Sequence, residues 1–266
     1  LGRPGWAHLG VPRSGALDVP ALLRANQLVG NPAGHAALET TLTGCALRLG
    51  RPGTIAVTGA QARVRVAGQT VDLGRPVAVS SGAVVEIGPA RRGVRSYLAI
   101  NGGIEIEPVL GSRSTDTLSG LGHAPLRDGD RVPLGPTTPL TPMGSPEWEP
   151  PPAALELPVR LGPRDDWFTA EAIEALLSTP YTVSTMSNRV GVRLTGAALP
   201  RAKAGELPSE GIVLGAVQVP ADGQPLVFLA DHPTTGGYPV IAVVQDVTPL
   251  AQARPGTTVR FHGSQR

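Results

Sequence analysis

Carboxylates, an amide and hydroxyls crowd into one stretch of this 266-residue chain. It runs Ser209-Glu210-Gly211-Ile212-Val213-Leu214-Gly215-Ala216-Val217-Gln218-Val219-Pro220. After a turn it continues as Asp231-His232-Pro233-Thr234-Thr235-Gly236-Gly237-Tyr238-Pro239. Glu210, Gln218, Asp231, Thr234 and Tyr238 fall at strand ends or in a glycine-rich loop. A carboxylate set among apolar strands can have a raised pKa and move a proton near neutral pH. Amide and hydroxyl groups beside it can stabilise a developing oxyanion. The alternative is that these residues only close a barrel through buried hydrogen bonds.

Three further segments place polar side chains between glycines, where the backbone can approach a ligand. The loop from Arg3 through Ser14-Gly15-Ala16-Leu17-Asp18 leads into a helix. The start of that helix offers N–H groups and a positive dipole end to a carboxylate; alternatively Asp18 only caps it and Ser14 only shapes the turn. Gly111-Ser112-Arg113-Ser114-Thr115-Asp116 sets Arg113 between hydroxyls. That arrangement suits a carboxylate or phosphate, and equally a surface loop. In Ser187-Asn188-Arg189-Val190-Gly191-Val192-Arg193-Leu194, Arg189 and Arg193 would share one face of a strand, as a solvated face, an ion pair or part of a site.

Several kinds of chemistry are excluded by composition. Lys203 is the single lysine among 23 basic residues. It follows no glycine-rich turn, so the chain carries no Walker-type ATP site. Nor is it flanked by methionines, as a biotin-bearing lysine is, or set near a Gly-Ser-rich loop, as an amidase Ser-Ser-Lys triad requires. One cysteine, Cys45, precludes an intrachain disulfide and a multi-cysteine metal centre. The five histidines show no i, i+4 metal spacing, and no metal is expected. A net charge of +2, scattered arginines and nine aromatic residues do not make a nucleic-acid groove. No apolar run reaches the roughly 18 residues of a membrane-spanning helix, and no signal peptide is visible. With the lone cysteine, these features point to the reducing cytoplasm. The chain opens on Leu1 without an initiator Met, so residues upstream are expected to be missing.

The elements that must position these groups are mostly short strands. The 34 glycines and 28 prolines show no low-complexity period and imply many turns. Asp18 can cap a helix carrying Ala21, Leu22, Ala25, Leu28 and Val29, and Thr169 a second carrying Ala172, Ile173, Leu176 and Leu177. Strands are expected at 54–58, 62–66, 69–73, 76–80, 83–87, 94–100, 131–134, 181–186, 190–195, 212–219, 225–230, 239–245 and 257–261, as in a barrel or sandwich. Nine prolines lie between Pro133 and Pro158, a stretch expected to act as a spacer and not as a central strand. The division is therefore a first β-rich half over 1–136, a proline-rich linker over 137–157, and a second half over 158–266.

Taken together, the polar segments resemble the biotin-dependent-carboxyltransferase-like family often labelled allophanate hydrolase subunit 2. The resemblance is carried by Leu1-Gly2-Arg3-Pro4-Gly5, Ser14-Gly15-Ala16-Leu17-Asp18, Ala25-Asn26, Val29-Gly30-Asn31-Pro32 and Ala37-Leu38-Glu39. It continues through Leu110-Gly111-Ser112-Arg113-Ser114-Thr115, Ser209-Glu210-Gly211, Gln218-Val219-Pro220 and Thr234-Thr235-Gly236-Gly237-Tyr238-Pro239. These blocks occur in order over nearly the whole chain. His232 and Asn188 depart from the residues usual at those places, and a strand that normally precedes Leu1 is absent.

The resemblance implies a mainly β fold with a few helices, arranged as two cyclophilin-like β-barrel units. It also implies a cytoplasmic protein with a partner, a subunit 1 homologue (KipI-like, the B component of 5-oxoprolinase). A homologue of the A component would complete an ATP-dependent complex that hydrolyses 5-oxo-L-proline to glutamate, with this chain as the C component. ATP would be used by the complex, with no covalent biotin on this chain. Glu210 or Asp231 would then transfer a proton, Gln218, Thr234 and Tyr238 would orient the amide, and Ser14, Arg113 or the Asp18 helix start would bind the substrate. Family members also include a carboxyltransferase that moves a carboxyl group from carboxybiotin to urea, and KipA, a non-enzymatic regulator that binds a KipI-like kinase inhibitor. The shared chemical demand of the two enzymes is to polarise a planar N–C=O group and manage a proton on its nitrogen.

Overall fold

The computed structural model describes residues 1–137, 139 and 152–263. Most of the stretch expected as a linker, and Met143 within it, lies outside the described residues. The chain divides into two compact units. The first holds Leu1, Asp18–Val109 and the described residues from Ala124 to 139. The second holds Gly2–Leu17, Leu110–His123 and the residues from Pro152 onward. Two early segments, 2–17 and 110–123, thus belong to the same unit as the C-terminal half.

In the first unit, helix α1 (Val19–Leu28) begins where Asp18 Oδ1 accepts the Ala21 N–H at 2.9 Å. Pro20, in the first turn, has no N–H to leave unsatisfied. Leu22, Ala25 and Leu28 form the buried face. The helix packs on the two long strands of an antiparallel sheet. Its strands are β1 (Leu38–Thr41), β2 (Cys45–Arg48), β3 (Gly53–Val66), β4 (Gln69–Val71), β5 (Val77–Val79) and β6 (Val84–Ile100). β3 and β6 pair from Ile55↔Ile100 to Val66↔Val85, with register shifts after Gly59. Ile55, Val57, Val64, Val85, Ile87 and Leu98 fill the core. Asparagines hold the end of α1 to this sheet. Asn31 Nδ2 donates to the Ile100 carbonyl at 2.9 Å, and Asn101 Nδ2 donates to the Val29 carbonyl at 2.6 Å. Asn31 of the first family block, and Asn101 outside it, therefore satisfy buried backbone groups.

The second unit contains β7 (Ala154–Leu161), α2 (Ala170–Ser178), β8 (Tyr181–Val183), β9 (Gly191–Thr195), β10 (Glu210–Gly211), β11 (Ala216–Gln218), β12 (Leu226–Phe228), β13 (Thr235–Gly236), β14 (Val240–Val244) and β15 (Thr258–Gly263). Seven of these close a barrel in the order β11-β12-β9-β8-β15-β7-β14, while β10 and β13 form a separate two-stranded pair. Alternation sets the interior: Leu155, Leu157 and Val159 point in and Glu156 points out. They pack with Leu176 of α2, Tyr181, Leu194, Ile241 and Phe261. Both expected helices form with their expected caps, Thr169 Oγ1 accepting the Ala172 N–H at 3.1 Å.

Four expectations are corrected. The pairs 54–58/62–66 and 83–87/94–100 are single strands, β3 and β6. Residues 131–134 make only an isolated bridge between Ile104 and Leu134. β1, β2, β7, β10 and β13 were not expected. β7 runs through Pro158 and is paired on both sides. Its proline is tolerated because the Pro158 carbonyl accepts from Gln245 N. The missing N–H lies on that same side, past the end of β14 at Val244.

Candidate functional site

The predicted polar residues of the second unit separate into two groups. The first is built around Asp231, which is fully buried. Its carboxylate receives Arg189 Nε at 2.9 Å and Nη2 at 3.1 Å. The Thr117 N–H and Oγ1 donate to the same group at 3.1 and 2.6 Å. Arg189 also donates to the Gly15 carbonyl, and the Ser14 N–H donates to the Ala230 carbonyl at 2.9 Å. Arg3, almost wholly buried, donates to the Ser114 carbonyl. One carboxylate thus ties together three segments far apart in sequence. Ser14 sits here in a left-handed conformation, φ 51°, with its Oγ buried and without a hydrogen-bond partner among the described residues. Arg113 is half-buried between Ser112 and Ser114, whose hydroxyls are 2.8 Å apart.

Arg189 and Arg193 do not share a strand face. β9 starts only at Gly191, because Asn188 Oδ1 accepts from the Val190 and Gly191 N–H groups and holds the preceding residues in a turn. Arg189 therefore escapes the strand alternation and turns onto Asp231, while Arg193 is exposed.

The second group is Glu210, Gln218, Thr234 and Tyr238. Gln218 ends β11 and Val240 opens β14, and the two are paired. Asp231 follows the far end of β12. The loop 229–239 therefore travels the length of the barrel, and Asp231 and Gln218 are not brought together. Gln218 is buried and its Nε2 donates to the Tyr238 carbonyl at 2.9 Å. The Thr234 carbonyl accepts the Ile212 N–H at 2.9 Å, and Glu210 pairs with Gly236. A Cβ on Gly236 would stand 2.8 Å from Gln218 Nε2, so any larger residue here must displace the end of that side chain. The Tyr238 ring is half-exposed, with the Arg201 guanidinium 5.8 Å from its centroid.

Arg164 grips Glu210 with Nε and Nη2, one on each carboxylate oxygen. These hydrogen bonds hold the Glu210 carboxyl below the ordinary glutamate range. A raised pKa was the expectation for a carboxylate among apolar strands; a two-pronged cation at a solvent-reached edge reverses it. Neither Arg164 nor Arg201 could be found by sequence, because each meets its partners across strands with no local motif.

Asp18 lies in the first unit. Its own N–H donates to Tyr97 Oη at 2.8 Å, and Tyr97 donates to Glu39 Oε2 at 2.8 Å. Glu39 in turn lies 3.6 Å from Arg95. Of the donors expected to be open to an anion at this helix start, those of Asp18 and Ala21 are already engaged. Among the described residues, no group of three or more His, Cys, Asp or Glu side chains is placed to hold a metal. No helix among them is long and apolar enough to cross a membrane.

The chain belongs to the family described as carboxyltransferase domain, subdomain A and B, whose pattern matches residues 9–263. It is 39% identical to the C subunit of Escherichia coli 5-oxoprolinase, over 98% of this chain and 85% of that protein. It is 33% identical to urea amidolyase of Saccharomyces cerevisiae, over 98% of this chain and 16% of that protein. Among solved structures, TTHA0988 superposes with a TM-score of 0.89 at 40% identity, covering 98% of this chain and 52% of that one. The Kluyveromyces lactis urea amidolyase superposes at 0.90 and 29% identity, covering 98% and 17%. The chain thus spans about half the length of TTHA0988 and about a sixth of the urea amidolyases.

Proposed function

We propose that this chain acts as the C component of an ATP-dependent 5-oxoprolinase complex, which opens the lactam of 5-oxo-L-proline to give glutamate. The observation that carries this reading is the identity to the C subunit of 5-oxoprolinase, which extends over nearly the full chain and most of that protein. In the reaction, water adds to the lactam carbonyl, the C–N bond breaks and the departing nitrogen takes a proton. ATP would be used by the complex, through homologues of the A component and of the KipI-like B component.

Glu210 is the proton-transfer group in this reading, taking a proton from the attacking water as a base and passing it to the departing nitrogen. It stands ionised at an accessible edge, and its Arg164 partner keeps it so at neutral pH. Asp231, the other candidate, is fully buried and held by four hydrogen bonds. It anchors the loop from which Thr234 and Tyr238 meet the substrate. Gln218 acts through Tyr238, fixing its backbone. Ser14 and Arg113 would shape substrate binding from the Asp231 group, and Asp18 shapes the helix start of the first unit.

A carboxyltransferase acting on a urea-like amide is the second reading, favoured by the superposition on urea amidolyase. Glutamate release from 5-oxo-L-proline and ATP, with each component omitted in turn, tests the first reading. Adding carboxybiotin and urea tests the second. A stable complex with neither turnover would instead favour a KipA-like regulator.

A further inference from the structure

We propose that Arg201 forms an anion subsite on the second unit and holds the carboxylate of a small cyclic acid. The assignment of that acid as 5-oxo-L-proline rests on the function proposed above; the subsite itself rests on the geometry.

Three cations of this unit are matched to carboxylates: Arg164 to Glu210, Arg189 to Asp231 and Lys203 to Asp166. Arg201 is half-buried and has no carboxylate partner among the described residues. Its Nη2 donates to the Val219 carbonyl at 2.9 Å, and its Nε–H is buried with no acceptor among the described residues. A guanidinium carries five N–H donors, so capacity for a further acceptor is left at the Nη groups, the Nε–H being buried. The Tyr238 ring lies over the cation, with its centroid 5.8 Å from the guanidinium carbon. The Arg201 backbone is fixed, since Phe168 and Arg201 form a bridge and the Ala202 N–H donates to the Trp167 carbonyl at 2.8 Å.

Arg201 lines a shallow groove whose walls include Leu199, Pro200 and Pro220. Those apolar walls suit a small saturated ring. Asp222 also lines the groove, and its Oδ1 accepts the Gln224 N–H at 3.0 Å within its own turn. The groove adjoins the amide-binding group directly: Arg201 holds the carbonyl of Val219, the residue after Gln218, and Gln218 holds the carbonyl of Tyr238. A ring bearing both a carboxylate and a lactam can therefore engage Arg201 and the Tyr238 loop together. Urea has no carboxylate to offer, so the subsite selects between the two substrates.

Three probes test this by NMR titration of the full chain: 5-oxo-L-proline, 2-pyrrolidinone (the same lactam without the carboxylate) and L-proline (the carboxylate without the lactam). The wild type is expected to bind 5-oxo-L-proline about tenfold or more tighter than 2-pyrrolidinone, the value of a charged hydrogen bond. It should also bind L-proline, with the Arg201 guanidinium resonances shifting for both acids and not for 2-pyrrolidinone. Arg201→Gln should erase the preference and Arg201→Lys keep part of it. In the assembled complex, Arg201→Gln should raise KM for 5-oxo-L-proline about tenfold with kcat little changed. A wild type with no preference for the acid, unmoved Arg201 guanidinium resonances, or an Arg201→Gln chain that keeps the preference would each overturn the subsite. Turnover with unchanged KM in Arg201→Gln would refute the subsite and leave the reaction standing. No turnover, with a carboxylate preference that Arg201→Gln removes, would refute the reaction and leave the subsite standing.

Discussion

Glu210 and Asp231 look alike in the sequence, each an acid close to glycine or proline in the same run of strands and turns, yet their surroundings give them different work. Asp231 is a buried ion with a largely buried guanidinium partner. Removing its charge leaves Arg189 uncompensated, and breaking such a pair from one side costs about 3–5 kcal/mol. Asp231→Asn is therefore expected to lower the melting temperature strongly, as followed by calorimetry. Glu210→Gln should leave the melting temperature little changed. Turnover of the assembled complex should fall about 10²- to 10⁴-fold, the range for loss of a general acid–base group.

The direction of the Glu210 pKa sets a pH window. The folded pKa is depressed, so the ion-pair contribution is complete above the ordinary glutamate value and is lost only as pH falls through the lower folded value. The acid limb of the pH–rate profile should accordingly lie below about 4.3, the unperturbed Glu value. An acid limb near pH 6 to 7 would contradict this assignment. Glu210 is visible in the sequence but Arg164 is not, since it sits 46 residues away in an unremarkable turn. The direction of the pKa was equally hidden, because it depends on that partner and not on the strands around the acid.

At the scale of elements, local signals were legible wherever the cause was local. Asp18 and Thr169 cap the two helices because a side-chain oxygen three residues before a free N–H does so in almost any context. The strand pairs of the first unit were also visible, but as fragments. Gly59 reads as a break, whereas it lies at a bulge that bends a continuous strand. β7 was hidden by its proline, because whether Pro158 disrupts pairing depends on which side of the strand its absent N–H faces. The β10–β13 pair was beyond local reading, being two residues on each side. That small pair nonetheless sets the second polar group. Gly236→Ala should push the Gln218 amide from the Tyr238 carbonyl, since the new Cβ would fall 2.8 Å from Nε2. KM for the lactam is expected to rise in this variant, and Gly236→Ala kinetics equal to wild type would show that the Gln218–Tyr238 contact does not position substrate.

At the scale of the whole chain, the two β-rich units were legible in the order of their strands. The assignment of 2–17 and 110–123 to the second unit was not, because it depends on Asp231 and Arg189 meeting residues more than a hundred positions away. Buried tyrosines couple both units to alkaline pH. Burial pushes the Tyr97 hydroxyl well above its usual value, with Glu39 adding to the shift, and burial raises Tyr181 as well. Their stabilising contribution is complete below the ordinary tyrosine pKa of about 10 and is lost as pH rises from there through the folded values. Melting temperature should therefore fall above pH 10, less steeply in Tyr97→Phe.

Whether lactam opening needs this chain is tested most directly by one assay. Glutamate released from 5-oxo-L-proline and ATP is measured with homologues of the A and B components, and with this chain present, absent, and added back. Release is predicted with all three proteins, none without this chain, and recovery on its return. Equal release with and without the chain would contradict the proposed function.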